Sequence, residues 1–131
     1  MADEKKSKVM IIDDDKFLLD MYSLKFSEAG FDVTACEGPE VALTKAKEGF
    51  KPDIALVDII MPGMDGFTLI ETIKKENLLN GATIIVLSNL GQKEDIERGL
   101  AVGAAGYIVK ASATPSEVMN RVKEIVGGKK S

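Results

Sequence analysis

Four short apolar runs, Val9–Ile12, Ile54–Val57, Thr83–Leu87 and Tyr107–Val109, punctuate the sequence, and none of them alternates with polar residues. Successive side chains of a strand point to opposite faces, so a strand wetted on one side must alternate. Unbroken Ile- and Val-rich strands need cover on both faces, the environment of a parallel α/β sheet. A fifth stretch, Phe31-Asp32-Val33-Thr34-Ala35, does alternate, which predicts a half-exposed edge strand.

The intervals carry helix signals. Phe17, Leu18, Met21 and Leu24 share one arc, predicting a helix that begins near Asp15 and stops at Gly30. Pro39 suits the first turn of a helix through Lys47, and Asp65 can cap one running to about Asn77. A shorter helix is predicted over Glu94–Val102, and Thr114-Pro115 opens a last one through Val126. Strand and helix therefore alternate five times. Right-handed crossovers turn that order into a doubly wound five-stranded parallel sheet with helices on both faces. Its 131 residues suit one domain, predicted over residues 8–126 between flexible ends at 1–7 and 127–131.

Composition removes several classes of function. A net charge of −4 does not provide the basic surface that direct nucleic-acid binding requires. The chain has no histidine, so no imidazole serves as base or ligand. Its single cysteine, Cys36, has no internal disulfide partner, which fits a reducing compartment. No apolar run approaches the roughly 20 residues of a membrane span, and the opening MADEKKSK lacks the core of a signal peptide. A cytoplasmic location with no membrane contact is expected.

In open parallel sheets, sites form beyond the carboxyl ends of the strands. The first strand is followed by Asp13-Asp14-Asp15, the third by Asp58, the fourth ends in Ser88 and the fifth in Lys110. Each has an ordinary explanation taken singly: Asp15 as a helix cap, Ser88 as a turn former, Lys110 as a solvated charge. Together they would place carboxylates, a hydroxyl and an ammonium on one rim. Clustered carboxylates suit Mg²⁺, which takes few direct protein ligands and keeps waters. An aspartate in such a cluster can accept a phosphoryl group as an acyl phosphate. Lys110 and Ser88 could then meet the charge on the phosphoryl oxygens.

The segments Ile11–Asp15, Leu56–Gly66, Val86–Ser88 and Gly106–Lys110 resemble the four signatures of response-regulator receiver domains, in the family's order and across roughly Lys8–Val126. The resemblance implies a flavodoxin-like sheet of order 2-1-3-4-5. It implies Asp58 as phosphoacceptor, Ser88 and Lys110 as phosphoryl contacts, and Mg²⁺ held by Asp13, Asp14, Asp58 and the Ile60 carbonyl. It further implies Ser88 and Tyr107 as switch residues, coupled to the face formed by the fourth helix, fifth strand and fifth helix. A sensor histidine kinase or phosphotransfer protein would be the donor and another protein the target, with the regulator a monomer or a phosphorylation-dependent dimer.

Three positions depart from the family's pattern. Ala111 follows Lys110 where proline is usual, so a cis bond there would cost ~3 kcal/mol. Asn89 replaces a small residue after the hydroxyl, and the apolar Ile60 flanks the acceptor, where slow self-hydrolysis is expected. The competing readings are a degenerate receiver that docks without phosphate, a phosphatase with Asp58 as nucleophile, and a flavin carrier. Ile60 stands where such a phosphatase needs its second acid. Three aspartates stand where a flavin carrier needs a phosphate-cradling loop.

Overall fold

The computed structural model of the chain describes residues 6–129. Five strands, β1 (Lys8–Ile12), β2 (Asp32–Cys36), β3 (Ile54–Val57), β4 (Thr83–Ser88) and β5 (Gly106–Val109), form one sheet in the order β2-β1-β3-β4-β5. Every pairing is parallel. The connections are α1 (Lys16–Glu28), α2 (Pro39–Lys47), α3 (Gly66–Lys75) and α4 (Lys93–Ala101), and α5 (Pro115–Lys129) closes the chain.

The period of two in the strands divides the core. Val9, Ile11, Ile54, Leu56, Ile85, Leu87 and Ile108 share a cluster with Leu19, Tyr22 and Phe26 of α1 and Val118 and Val122 of α5. Their neighbours Met10, Ile12, Ala55, Val57, Ile84, Val86 and Tyr107 share the other with α2 and α3 residues, including Ala42, Leu69 and Ile70. Both faces of the three central strands are thus covered, and β3 and β4 are buried throughout. β2, the alternating segment, lies at an edge with mixed exposure, one residue later than its pattern predicts.

Two expectations change. Phe17 and Leu24 are 75% and 61% exposed, while Leu19, Tyr22 and Phe26 face the sheet. The predicted arc is the rim of the buried face: Leu18 and Met21 are only partly buried at its edge. α1 carries apolar residues around too much of its circumference for periodicity alone to identify the inward side. At the far end, α5 continues through Lys129, so Gly127–Lys129 are helical where a loose tail was predicted. At the start, the Ser7 carbonyl accepts a bond from the Asp32 N–H at 2.9 Å and is anchored. The remaining predicted flexible positions, 1–5 and 130–131, lie outside the described residues.

Local chemistry explains the helix ends. The Asp15 carboxylate accepts the Leu18 N–H, and that of Asp65 accepts the Thr68 N–H, each satisfying a donor that the first turn leaves free. The chain turns out of α1 through Gly30, two residues after Glu28; the Gly30 φ of 98° is open to glycine at little cost.

Cys36 is fully buried at the end of β2. Burial pushes its thiol up from 9.0 to about 11, slightly opposed by Lys45. The unfolded chain therefore gives up this proton first, and the fold loses roughly 3 kcal/mol as pH climbs through that interval. Tyr107, pushed up to about 12 mainly by burial, adds to the same trend. Denaturant midpoints should fall as pH rises from 9.0 towards about 11. The fall should be visibly shallower in Cys36→Ala; an identical slope in both proteins would contradict the assignment.

Candidate functional site

Parallel register brings the strand ends to one rim. Ile12 lies beside Val57, Val57 beside Val86, and Ser88 beside Val109. The next residue of the first and third strands is an aspartate, and the next residue of the fifth is the lysine. Backbone bonds hold both acids in place: the Asp13 N–H donates to the Cys36 carbonyl and the Asp58 N–H to that of Ile12.

The Lys110 ammonium sits between them, 2.6 Å from Asp13 Oδ2 and 3.3 Å from Asp58 Oδ2. The three side chains are only 7%, 3% and 10% exposed. The remaining carboxylate oxygens are also engaged, Asp13 Oδ1 by the Asp15 N–H at 2.9 Å and Asp58 Oδ1 by the Ile59 N–H at 2.7 Å. Burial pushes the Asp13 carboxyl up, against the pull of Lys110 and the Asp15 N–H. Burial also works against the Lys110 charge, but its bond to Asp13 and the nearby Asp58 outweigh it and hold the ammonium above the usual lysine range. Lys110 therefore stays charged, and its 2.6 Å contact with the Asp13 carboxyl group is a charge-assisted bond.

Oxygens of Asp13, Asp14 and Asp58 lie within 4.8 Å of one another. Asp14 is the exposed member, so the cluster opens to solvent on its side. Three carboxylates against one ammonium leave negative charge uncompensated, and the donors are all hard oxygens. That set fits a small divalent cation such as Mg²⁺.

Ser88 is fully buried, and its Oγ accepts the Leu90 N–H at 3.4 Å. Tyr107 turns inward at 8% exposure and donates its hydroxyl to the Leu90 carbonyl at 2.6 Å. The two predicted switch residues thus meet on the two sides of one peptide residue. Leu90 carried no sequence signal, because its part is played by backbone atoms. Ile60 lies two residues after Asp58 with its side chain 59% exposed, and Asn89 is exposed. Asp15, the third acid of the run, is the α1 cap and lies outside the carboxylate cluster. All peptide bonds among the described residues are trans, so Lys110–Ala111 avoids the cis cost and enters a 3-10 turn over Lys110–Ser112.

Gly66 is a further element whose role no composition rule exposes. A Cβ there would lie 2.2 Å from the Asp58 carbonyl oxygen, and its N–H donates to the Ile59 carbonyl at 2.8 Å. The start of α3 is pressed directly onto the backbone that carries Asp58.

A family model for the response regulator receiver domain matches residues 9–123. The chain belongs to that family, the receiver domains of two-component signalling systems. It is 28% identical to the phosphate regulon transcriptional regulatory protein PhoB of Escherichia coli over 119 residues, 91% of this chain and 51% of that protein. The chain thus spans about half the length of that relative. The chemotaxis protein CheY4 of Vibrio cholerae superposes with a TM-score of 0.84 at 26% identity, over 92% of this chain and 99% of that one. A Borrelia burgdorferi chain, from a structure described as a CheX-CheY-BeF3-Mg+2 complex, gives 0.83 at 30% identity, over 92% and 89%. Among the described residues no helix is long and apolar enough to cross a membrane.

Two outcomes follow from this geometry. Gly66→Ala should lose about 2–3 kcal/mol, because backbone rather than a yielding side chain opposes the new methyl; chemical denaturation measures it. Asp14→Asn should raise the metal-free melting temperature by a few degrees by relieving repulsion within the cluster. It should also weaken the stabilisation that added magnesium confers, and unchanged melting with and without the ion would contradict the cluster's role.

Proposed function

We propose that this receiver accepts a phosphoryl group on Asp58, from a histidine kinase, a phosphotransfer protein or a small phosphodonor, and that the modification biases a partner-binding surface. The observation that carries this reading is the buried Lys110 bridging Asp13 and Asp58 beside an open third carboxylate. Asp13, Asp14 and Asp58, with the Ile60 carbonyl, would hold Mg²⁺. When bound, the ion supplies charge neutralisation that lets an anionic phosphoryl group approach an anionic acceptor.

The protein's own groups do the rest. An Asp58 carboxylate oxygen attacks phosphorus; the new O–P bond forms as the bond to the donor atom breaks, and that bonding pair leaves with the donor. Asp58 is oriented for this by the Ile59 N–H on its other oxygen. Lys110, charged and already within reach of Asp58, pairs with a phosphoryl oxygen. The Ser88 hydroxyl, whose bond from the Leu90 N–H is long at 3.4 Å, can turn to donate to another. That movement loosens the Leu90 peptide, to which Tyr107 is tied. The acyl phosphate decays by water attack, and Ile60 offers no polar side-chain group to position that water. The phosphorylated form is expected to persist for minutes rather than seconds.

The test is incubation with acetyl phosphate and magnesium, followed by intact-mass and peptide analysis. One phosphoryl group should appear on Asp58, be absent from Asp58→Asn, and fail to form with a chelator present. Lys110→Ala should slow labelling by about 100-fold or more. Label on Asp58→Asn, or no label on the natural chain with a competent kinase and magnesium, would overturn the reading.

A further inference from the structure

Helix α4 has one buried residue, and it is a glycine, Gly99. Glycine inside a helix is costly relative to alanine, so its presence asks for a local reason. The reason is Tyr107. A Cβ at position 99 would stand 2.8 Å from Tyr107 Cδ2 and 3.0 Å from Cε2. The ring occupies the space that any side chain there would need.

Neither side of this contact has an easy retreat. The ring is tethered at its far end by the 2.6 Å bond from its hydroxyl to the Leu90 carbonyl. The same Cβ would already touch Val86 Cγ2 at 3.5 Å. On the neighbouring residue of α4, the Arg98 guanidinium lies 4.3 Å from the centre of the Phe67 ring and ties the helix to α3. A methyl at 99 must therefore displace either the phenol or the whole helix.

We propose that the bare backbone at Gly99 is a seat for Tyr107, and that this fit holds the loop between β4 and α4 in the form seen here. Gly99 is a positioning residue: it acts on Leu90 through the phenol, and on Ser88 through Leu90. With the seat filled by a side chain, the ring leaves, the Leu90 carbonyl loses its donor, and the loop loses that tether. The regulatory meaning of this device rests on the proposed phosphoacceptor function, but the seat itself does not.

The experiment compares four proteins: the natural chain, Gly99→Ala, Tyr107→Ala and the double variant. Helix propensity alone makes Gly99→Ala stabilising. The seat predicts that it lowers the melting temperature when Tyr107 is present and raises it when Tyr107 has been replaced by alanine. A rise in both backgrounds would overturn the proposal. If Gly99→Ala does not fold, folding of the double variant is the expected result, and its failure to fold overturns the proposal. Where the single variant folds, NMR contacts between the Tyr107 ring and residue 99 should disappear and the Ser88 and Leu90 amide resonances should move. A ring that stays packed on the new methyl would refute it. Acetyl phosphate labelling of the natural chain separates the two readings. No label on Asp58 removes the function and leaves the seat intact, whereas normal label with an immobile ring removes the seat alone.

Discussion

Two carboxylates from neighbouring strands share one ammonium in a place that water barely reaches, and most of the architecture can be understood as what that arrangement requires. Asp13 and Asp58 would repel each other strongly if left alone at such burial. Lys110 removes much of that cost by touching both, and it does so from the far edge of the sheet, across the width of β3 and β4. Only a rigid framework can deliver a flexible side chain to that point, because the pairing repays the desolvation of three charges only with short, well-directed bonds. The site remains under-neutralised even so, since Asp14 adds a third negative group on the open side. This residual charge, carried by hard oxygens, fits the rim to a small divalent cation.

The rigidity comes from the division of the core by strand parity. Alternate residues of β1, β3 and β4 pack against α1 and α5 on one side and chiefly against α2 and α3 on the other. α4 contributes far less, with its single buried glycine. The acids are braced by Gly66, which presses the start of α3 onto the Asp58 backbone. Ser88, Leu90 and Tyr107 stand where β4 runs into α4.

Much of this was legible in the residues. Runs such as Ile54–Val57 demand two covered faces, and alternation in Phe31–Ala35 demands one, so the parallel sheet and one of its edges follow from solvent exposure alone. Asp13, Asp14, Asp58, Ser88 and Lys110 stood out because each follows or ends a buried strand, and the structure does bring Asp13, Asp14 and Asp58 together with Lys110. Other features were silent. The apolar residues of α1 are too many for periodicity to choose between Phe17 and Leu19 as the inward one. Glycine looks the same in a sequence whether it makes a turn, as Gly30 does, or yields its space to a ring, as Gly99 does.

The amino-acid order by itself determined the alternation of strand and helix and which chemical groups end each strand. Those properties depend on neighbours a few residues away, through side-chain direction, helix caps and the need to hide apolar surface. Only the tertiary structure decided that Lys110 pairs with Asp13 more closely than with Asp58, and that Asp15 caps a helix while its two predecessors face the site. It also decided that Leu90 joins the serine to the tyrosine. These contacts join residues up to 97 positions apart. Their distances follow from how the packed layers settle against one another, a property of the whole core that no local stretch of sequence contains.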